Sequence, residues 1–304
     1  MPSKLSPHTI ALLQAFLVTF LWSTSWVLVK IGLQDVPALV FSGLRYALAF
    51  LMLLPLAFQP SLRSVYTKLK FRHWLLLVIY GLVLYAIAQG ALYLGLAGNP
   101  AATVSLMLNF TSVLVAFMGI LFLHEKLPWL GWGGIALSTA GAVVFFYPVS
   151  IPASHAASLL AISVGVLANA AAVILGRHIN HRENLPALPV TAISMGVGGF
   201  VLLAVGLGID GFPHLTWKLW TIIAWLALVN TAFAFTLWNH TQRTLSAVET
   251  SLINNTIMVQ IALLVWFFLG ESVTGKQWLG MLLVLLGVAL LQLSFRPARV
   301  GSRE

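Results

Sequence analysis

Apolar stretches of at least 18 residues, separated by short polar connections, follow one another from end to end of this chain. Crossing roughly 30 Å of hydrocarbon takes about 20 helical residues, so each stretch predicts a membrane-spanning helix. Ten are predicted, over residues 9–31, 37–58, 73–97, 101–124, 128–147, 156–177, 187–208, 217–240, 247–269 and 275–294. Turn or helix-start residues such as Gly98-Asn99-Pro100 and Tyr147-Pro148 punctuate them. The first stretch is too long for the apolar region of a signal peptide and lacks a small-residue cleavage site, so it is expected to persist as a helix.

Composition sharpens that picture. The 304 residues are 60% hydrophobic and 8% charged, against about 25% charged in ordinary soluble domains. The apolar excess must therefore face lipid. No cysteine is present, which excludes disulfides and thiolate metal sites. A net charge of +9 raises the question of nucleic acid, and the placement of the charges answers it. With a cytoplasmic N-terminus, one side carries Lys4, Arg63, Lys68, Lys70, Arg72, Lys126, Arg177, Arg182, Arg243, Arg296, Arg299 and Arg303. The other side carries Lys30, Lys218 and Lys276, with Asp35, Asp210 and Glu271 nearby. Twelve basic residues against three is a strong positive-inside pattern, and both termini are expected in the cytoplasm. Orientation alone accounts for the basic excess, so no nucleic-acid partner is implied.

The chain also resembles itself. Shifted by 146 residues, Ser105, Leu106, Asn109, Val113, Ala116, Phe122, Leu123 and Glu125 meet Ser251, Leu252, Asn255, Val259, Ala262, Phe268, Leu269 and Glu271. Trp132, Gly134, Leu137 and Gly141 then meet Trp278, Gly280, Leu283 and Gly287 without a gap. Residues 1–150 and 151–304 are thus expected to form two five-helix units. Five is odd, so the second unit must enter the membrane upside down relative to the first. The expected fold is all-α and integral to the membrane, with ten helices arranged as two inverted five-helix repeats around a central cavity. Inverted repeats are the architecture of alternating-access carriers, which hold substrate near the midplane.

The runs Ser105-Leu106 through Leu123-His124-Glu125-Lys126 and Leu245-Ser246-Ala247 through Leu269-Gly270-Glu271 resemble a paired signature of the drug/metabolite transporter superfamily, EamA branch. The last helix of each half continues the likeness with Gly134/Gly141 and Gly280/Gly287. Trp22-Ser23, Lys30 and Arg45 also sit where that family places similar residues. Within the branch the chain is most similar to bacterial aromatic amino-acid exporters of the YddG type. The resemblance implies a ten-helix basket with a central cavity, exporting amino acids and related metabolites from the cytoplasm. Many members carry a proline a few residues after the Ser-Leu pair, where Thr111 and Ile257 stand here.

Polar side chains inside spans nominate the site. Arg45 lies eight residues beyond Pro37, about 12 Å into its helix. A cation there costs at least about 2.5–3.5 kcal/mol unless paired or hydrated. It is either a partner for a substrate carboxylate or an interhelical tether bonded to carbonyls. Thr19, Trp22, Ser23, Trp26 and Lys30 fall on one stripe of the first helix. Trp22 is deep enough to wall a cavity, and Trp26 is read as an interfacial anchor. Tyr85, Gln89 and Tyr93 recur every four residues, and the 146-residue shift sets Thr231, Phe235 and Asn239 on the matching stripe. Paired stripes predict one cavity related by a two-fold axis. Asn109 and the Asn254-Asn255 pair, with Gln260, lie at equivalent depths in the fourth and ninth helices. They serve either as lining or as helix–helix bonds, since a buried amide in lipid needs partners. Asn169, Asn230 and Trp238 complete the candidates. The expected substrate-binding set is Trp22, Arg45, Tyr85, Gln89, Tyr93, Asn109, Thr231, Phe235, Trp238, Asn239 and Asn255.

Other chemistry finds little footing. Gly270 with Gly275-Lys276 mimics a phosphate-binding loop, but Gln277 stands where a magnesium-binding hydroxyl belongs and no strand precedes it. His178, His181 and Glu183 lack the spacing of a zinc protease, as does His124-Glu125. No catalytic constellation, metal site or cofactor is expected. No acidic residue lies clearly mid-span, Glu249 being the nearest, so uniport, exchange and coupling through another group all stay open. The expected protein is a secondary transporter in the bacterial inner membrane, exporting amino acids, aromatic ones included, by alternating access. Its partners are a small-molecule substrate and the lipid bilayer, with no obligate protein partner. An exporter of drugs or other metabolites is the nearest alternative, and an intramembrane enzyme the alternative of another class.

Overall fold

A computed structural model of the protein describes residues 6–99, 101–148, 156–269 and 273–294. Lys4, Pro100, Gly270, Glu271, Arg296, Arg299 and Arg303, and the segment around Pro152, lie outside the described residues. Among those described, ten helices are long and apolar enough to cross a membrane. They are α1 (Pro7–Gly32), α2 (Ala38–Ala57), α3 (Phe71–Gly98), α4 (Val104–Leu123) and α5 (Trp129–Phe146) in the first half. The second half holds α6 (Ala157–Arg182), α7 (Ala187–Asp210), α8 (Trp217–Thr241), α9 (Ala247–Leu264) and α10 (Gly275–Ser294). Two short helices, Pro60–Leu62 and Arg63–Lys68, join α2 to α3. Large apolar side chains such as Leu13, Leu51, Phe117, Leu167 and Trp225 stand exposed on the outside of the bundle, as a lipid-facing surface requires.

Helix starts follow local chemistry. Ser6 caps α1 by accepting from the Thr9 amide, and Thr216 does the same for α8 through Leu219. At α9 the capping is reciprocal: Ser246 Oγ accepts from the Glu249 amide while Glu249 Oε2 accepts from the Ser246 amide.

The two halves are inverted, and glycine contacts show it. A Cβ on Gly134 would lie 2.6 Å from the Gly287 carbonyl oxygen, and one on Gly141 would lie 2.7 Å from that of Gly280. Residue numbers rise along α5 as they fall along α10, so these equivalent helices run antiparallel in backbone contact. Gly43 against Leu203 and Gly206 against Leu39 and Val40 make the same crossing between α2 and α7. Three further packing pairs exchange in kind. The pair α3–α6 matches α8–α1, α4–α6 matches α9–α1, and α2–α8 matches α7–α3. A pseudo-two-fold axis perpendicular to the helices relates these pairs.

Two further features repeat across the axis. The i→i+5 turns Leu82–Ala88 in α3 and Leu228–Phe233 in α8 begin 146 residues apart. Both α4 and α9 are broken at their centres, between Ala101–Asn109 and Thr111–Met118 and between Ala247–Asn254 and Thr256–Leu269. No proline makes these breaks. Side chains take the carbonyls instead: Asn109 Nδ2 donates to the Ser105 carbonyl at 2.8 Å, and Ser112 Oγ to that of Asn109 at 2.9 Å. Thr256 Oγ1 donates to the Ile253 carbonyl at 2.7 Å. Asn, Ser and Thr compete with the helix ladder in this way.

Candidate functional site

The inverted halves enclose a central cavity of about 1020 Å3, its mouth included. One side, from α1, α2 and α8, is aromatic around a single cation. Trp22 lies 4.9 Å from Phe235 and 5.0 Å from Trp238, ring centre to ring centre, and Tyr46 lies 6.0 Å from Phe235. The other side, from α3, α4, α6 and α9, presents Gln89, Thr111, Asn169, Ser251 and Asn254 among aliphatic residues and the rings of Tyr80 and Tyr93.

Arg45 sits between the two. Its Nε donates to Thr231 Oγ1 at 2.6 Å, its Nη1 to Tyr93 Oη at 2.6 Å and its Nη2 to the Asn230 carbonyl at 3.2 Å. The wide turn in α8 makes that carbonyl available, and Trp22 Nε1 donates to it as well, at 3.1 Å. Thr231 in turn donates to the Leu226 carbonyl, five residues back. A guanidinium has five N–H donors, so these three bonds leave two of Arg45's uncommitted. No carboxylate pairs with Arg45 among the described residues. The guanidinium is thus both a tether for α2, α3 and α8 and a buried cation short of an anion.

Toward the face at which α1 begins, a polar floor closes beneath the rings. Tyr80 Oη donates to Asn239 Oδ1 at 3.0 Å, Asn180 Nδ2 donates to the same oxygen at 2.9 Å, and Asn239 Nδ2 donates to Thr191 Oγ1 at 2.9 Å. Arg177 Nη1 donates to the Gln242 carbonyl at 2.7 Å, and its Nε to Glu125 Oε1 at 3.3 Å. Glu125 also accepts from the Ala247 amide at the start of α9. Asn180, Asn239 and Gln242 are essentially inaccessible. One layer therefore joins the ends of α4, α6 and α8 to the start of α9.

Of the eleven residues nominated from sequence, Trp22, Arg45, Gln89, Tyr93, Phe235 and Trp238 line the cavity. Thr231 and Tyr85 stand behind that lining, the first bonded to Arg45 and the second with its ring 5.2 Å from Phe235. Asn239 belongs to the floor. Asn109 and Asn255 bond across the helix breaks, Asn109 Nδ2 to Met258 Sδ at 3.8 Å and Asn255 Nδ2 to Ser112 Oγ at 3.0 Å. Gln260 donates to Thr19 Oγ1, tying α9 to α1. Trp26, read as an interfacial anchor, lines the cavity.

Tyr46, Tyr80 and Gln242 line it too and were not nominated. Tyr80 and Gln89 would lie about 180° apart on a straight α-helix. The wide turn between them shifts the register by one residue and brings both to the same cavity. The same turn carries Tyr85 off the face that the four-residue spacing assigned to it. His181 and Glu183, drawn together in sequence, part in space: His181 meets the Arg243 carbonyl, while Glu183 bonds Arg72, His73 and His178.

A family model described as the EamA-like transporter family matches residues 9–147 and again 156–293. The chain belongs to the EamA-like transporter family. It is 26% identical, over 94% of its length and 96% of the relative's, to a Salmonella typhimurium protein named a probable amino-acid metabolite efflux pump. It is 22% identical to the uncharacterized transporter YoaV of Bacillus subtilis, over 93% of this chain and 97% of that one. To the uncharacterized inner membrane transporter YedA of Escherichia coli K12 it is 26% identical, over 91% and 89%. A crystal structure superposes with a TM-score of 0.78 at 16% identity, covering 94% of this chain and 97% of the other. That likeness is one of fold. As an EamA-like protein the chain is a multi-pass membrane transporter.

Proposed function

We propose that this EamA-like protein is a secondary carrier exporting amino acids, aromatic ones included, from the cytoplasm across the bacterial inner membrane by alternating access of its two halves. One observation carries the reading: a buried guanidinium without a carboxylate partner lines a cavity walled by Trp22, Tyr46, Phe235 and Trp238. A cation so placed in a low-dielectric interior favours an anionic group beside it. The two free N–H groups of Arg45 suit a carboxylate, and the flanking rings suit a planar side chain stacked or tilted against them. The relatives named for amino-acid metabolite efflux point the same way. Positive residues gathered on the face where α1 begins support a cytoplasmic assignment of that face, which would set the floor beneath the rings on the side from which an exporter loads.

Counterflow in proteoliposomes tests this. Vesicles preloaded with L-phenylalanine, L-tryptophan, L-leucine, phenylpropionate, a lipophilic cation or a nucleotide sugar are mixed with the labelled compound outside. Accumulation is expected for the amino acids, strongest for the aromatic ones, and absent for the cation and the nucleotide sugar. Accumulation of either of these two, without any of an amino acid, overturns the reading.

A further inference from the structure

The breaks in α4 and α9 cross each other beside the cavity. The bond from Asn255 to Ser112 at 3.0 Å and the contact from Asn109 to Met258 at 3.8 Å are exchanged by the repeat, since 109 corresponds to 255 and 112 to 258. Four residues at the crossing line the cavity: Leu108 and its equivalent Asn254, and Thr111 and its equivalent Ile257. Each half thus supplies one polar and one apolar side chain. The polar ones are unspent. Thr111 is 5% exposed, yet among the described residues its hydroxyl has no hydrogen-bond partner, and Asn254 Oδ1 is likewise buried and unpartnered. A buried acceptor left so is costly. Ser251, one turn before Asn254, lines the cavity beside them.

Each break sets a carbonyl end beside an amide end, since the first halves end at Asn109 and Asn254 and the second halves begin at Thr111 and Thr256, so the helix ends favour neither charge. The side chains decide: Asn254 Oδ1 can only accept, the hydroxyls of Thr111 and Ser251 offer lone pairs, and no arginine or lysine stands among the three, so these atoms suit a cation. Arg45 supplies the opposite preference elsewhere in the same cavity.

We propose that Thr111 Oγ1, Asn254 Oδ1 and Ser251 Oγ form a subsite for a singly charged cationic group between the broken helices. The group is either the ammonium of the substrate or a bound sodium ion. The ammonium case rests on the function proposed above. The sodium case does not.

The test uses the full chain in nanodiscs, with binding followed by the fluorescence of the tryptophans at the cavity. L-Phenylalanine and phenylpropionate, which differ by the ammonium, are titrated in choline chloride and in sodium chloride. Thr111→Val and Asn254→Leu alter different helices, and the first is nearly isosteric. If the substrate's ammonium occupies the subsite, both variants weaken L-phenylalanine by about tenfold and leave phenylpropionate unchanged. If sodium occupies it, sodium tightens phenylpropionate binding to the wild type and to neither variant. Equal weakening of both ligands, or no change in either salt, overturns the subsite. Should the wild type bind neither ligand, the amino-acid reading falls. The subsite is then judged by melting temperature alone: a sodium-dependent rise lost in both variants supports it, and its absence in the wild type removes it.

Discussion

Arg45 Nη1 donates to the Tyr93 hydroxyl at 2.6 Å, and Tyr93 stands one helical turn from Gln89 on the cavity side of α3. The bond fixes the guanidinium plane by committing one Nη1 donor, while Thr231 and the Asn230 carbonyl commit Nε and one Nη2 donor. What remains is a cation already oriented before any ligand arrives. Preorganisation of this kind lowers the ordering cost of binding.

Arg45→Gln is expected to reduce counterflow of carboxylate substrates roughly 10- to 100-fold, the cost of losing hydrogen bonds to a charged group. Tyr93→Phe is expected to weaken binding only a few-fold, because the guanidinium stays and loses one of three tethers. Thermal melting in detergent separates the roles. If Arg45→Gln fails to accumulate or melts well below Tyr93→Phe, the tether outweighs the ligand contact.

Topology has its own test. Reporter fusions after Arg63–Arg72 and at the C-terminus are expected to report cytoplasm, and fusions near Pro152 periplasm. A periplasmic C-terminus would remove the even helix count and the equal halves with it.

The glycine crossing between α5 and α10 should be intolerant of bulk. Gly287→Val would set its Cβ 2.5 Å from the Gly134 carbonyl oxygen, and is expected to cost about 1–3 kcal/mol through overpacking. Gly208→Ala, with nothing within 4 Å, is the control and should melt with the wild type.

Glu125 holds the floor together from the α4 side. Glu125→Gln keeps its shape and removes the charge facing Arg177. The layer joining α4, α6, α8 and α9 is expected to loosen, and a cysteine at position 89 should react faster with a membrane-impermeant reagent applied from the face where α1 begins. An unchanged rate from that face would show that the floor does not depend on this pair.

The long apolar runs placed all ten helices, because nothing but a span can absorb such stretches. The misjudged ends have a physical cause. The sixth helix was expected to stop at residue 177, where His178, Asn180, His181 and Arg182 turn the sequence polar. Its backbone continues to Arg182 because Asn180 Nδ2 bonds the Gly176 carbonyl and the buried amides of Asn239 and Gln242. Hydropathy reads such residues as solvated, whereas here they satisfy one another. The lining was half legible for a similar reason. Stripe arguments assume a straight α-helix, and the wide turns in α3 and α8 rotate Tyr85 and Thr231 behind the wall while bringing Tyr80 onto it. No residue type announces such a turn. The breaks in α4 and α9 were hidden too, since proline is the usual signal and Asn, Ser and Thr side chains make these.

Both stripes can be read directly, because the native chain has no cysteine and single cysteines carry no background. Gln89 and Phe235 line the cavity, whereas Ile87 is 46% and Phe233 52% exposed on the outer surface of the bundle. That surface faces hydrocarbon, where a thiol stays protonated and a charged reagent does not enter. Cysteines at 89 and 235 are therefore expected to react with a small impermeant thiol reagent in at least one conformational state, and saturating substrate should slow them. Cysteines at 87 and 233, turned about 200° away along their helices, should stay silent. Equal reactivity at all four positions, or protection by no compound in the counterflow panel, would remove the cavity as the binding site while leaving the family and the ten-helix fold in place.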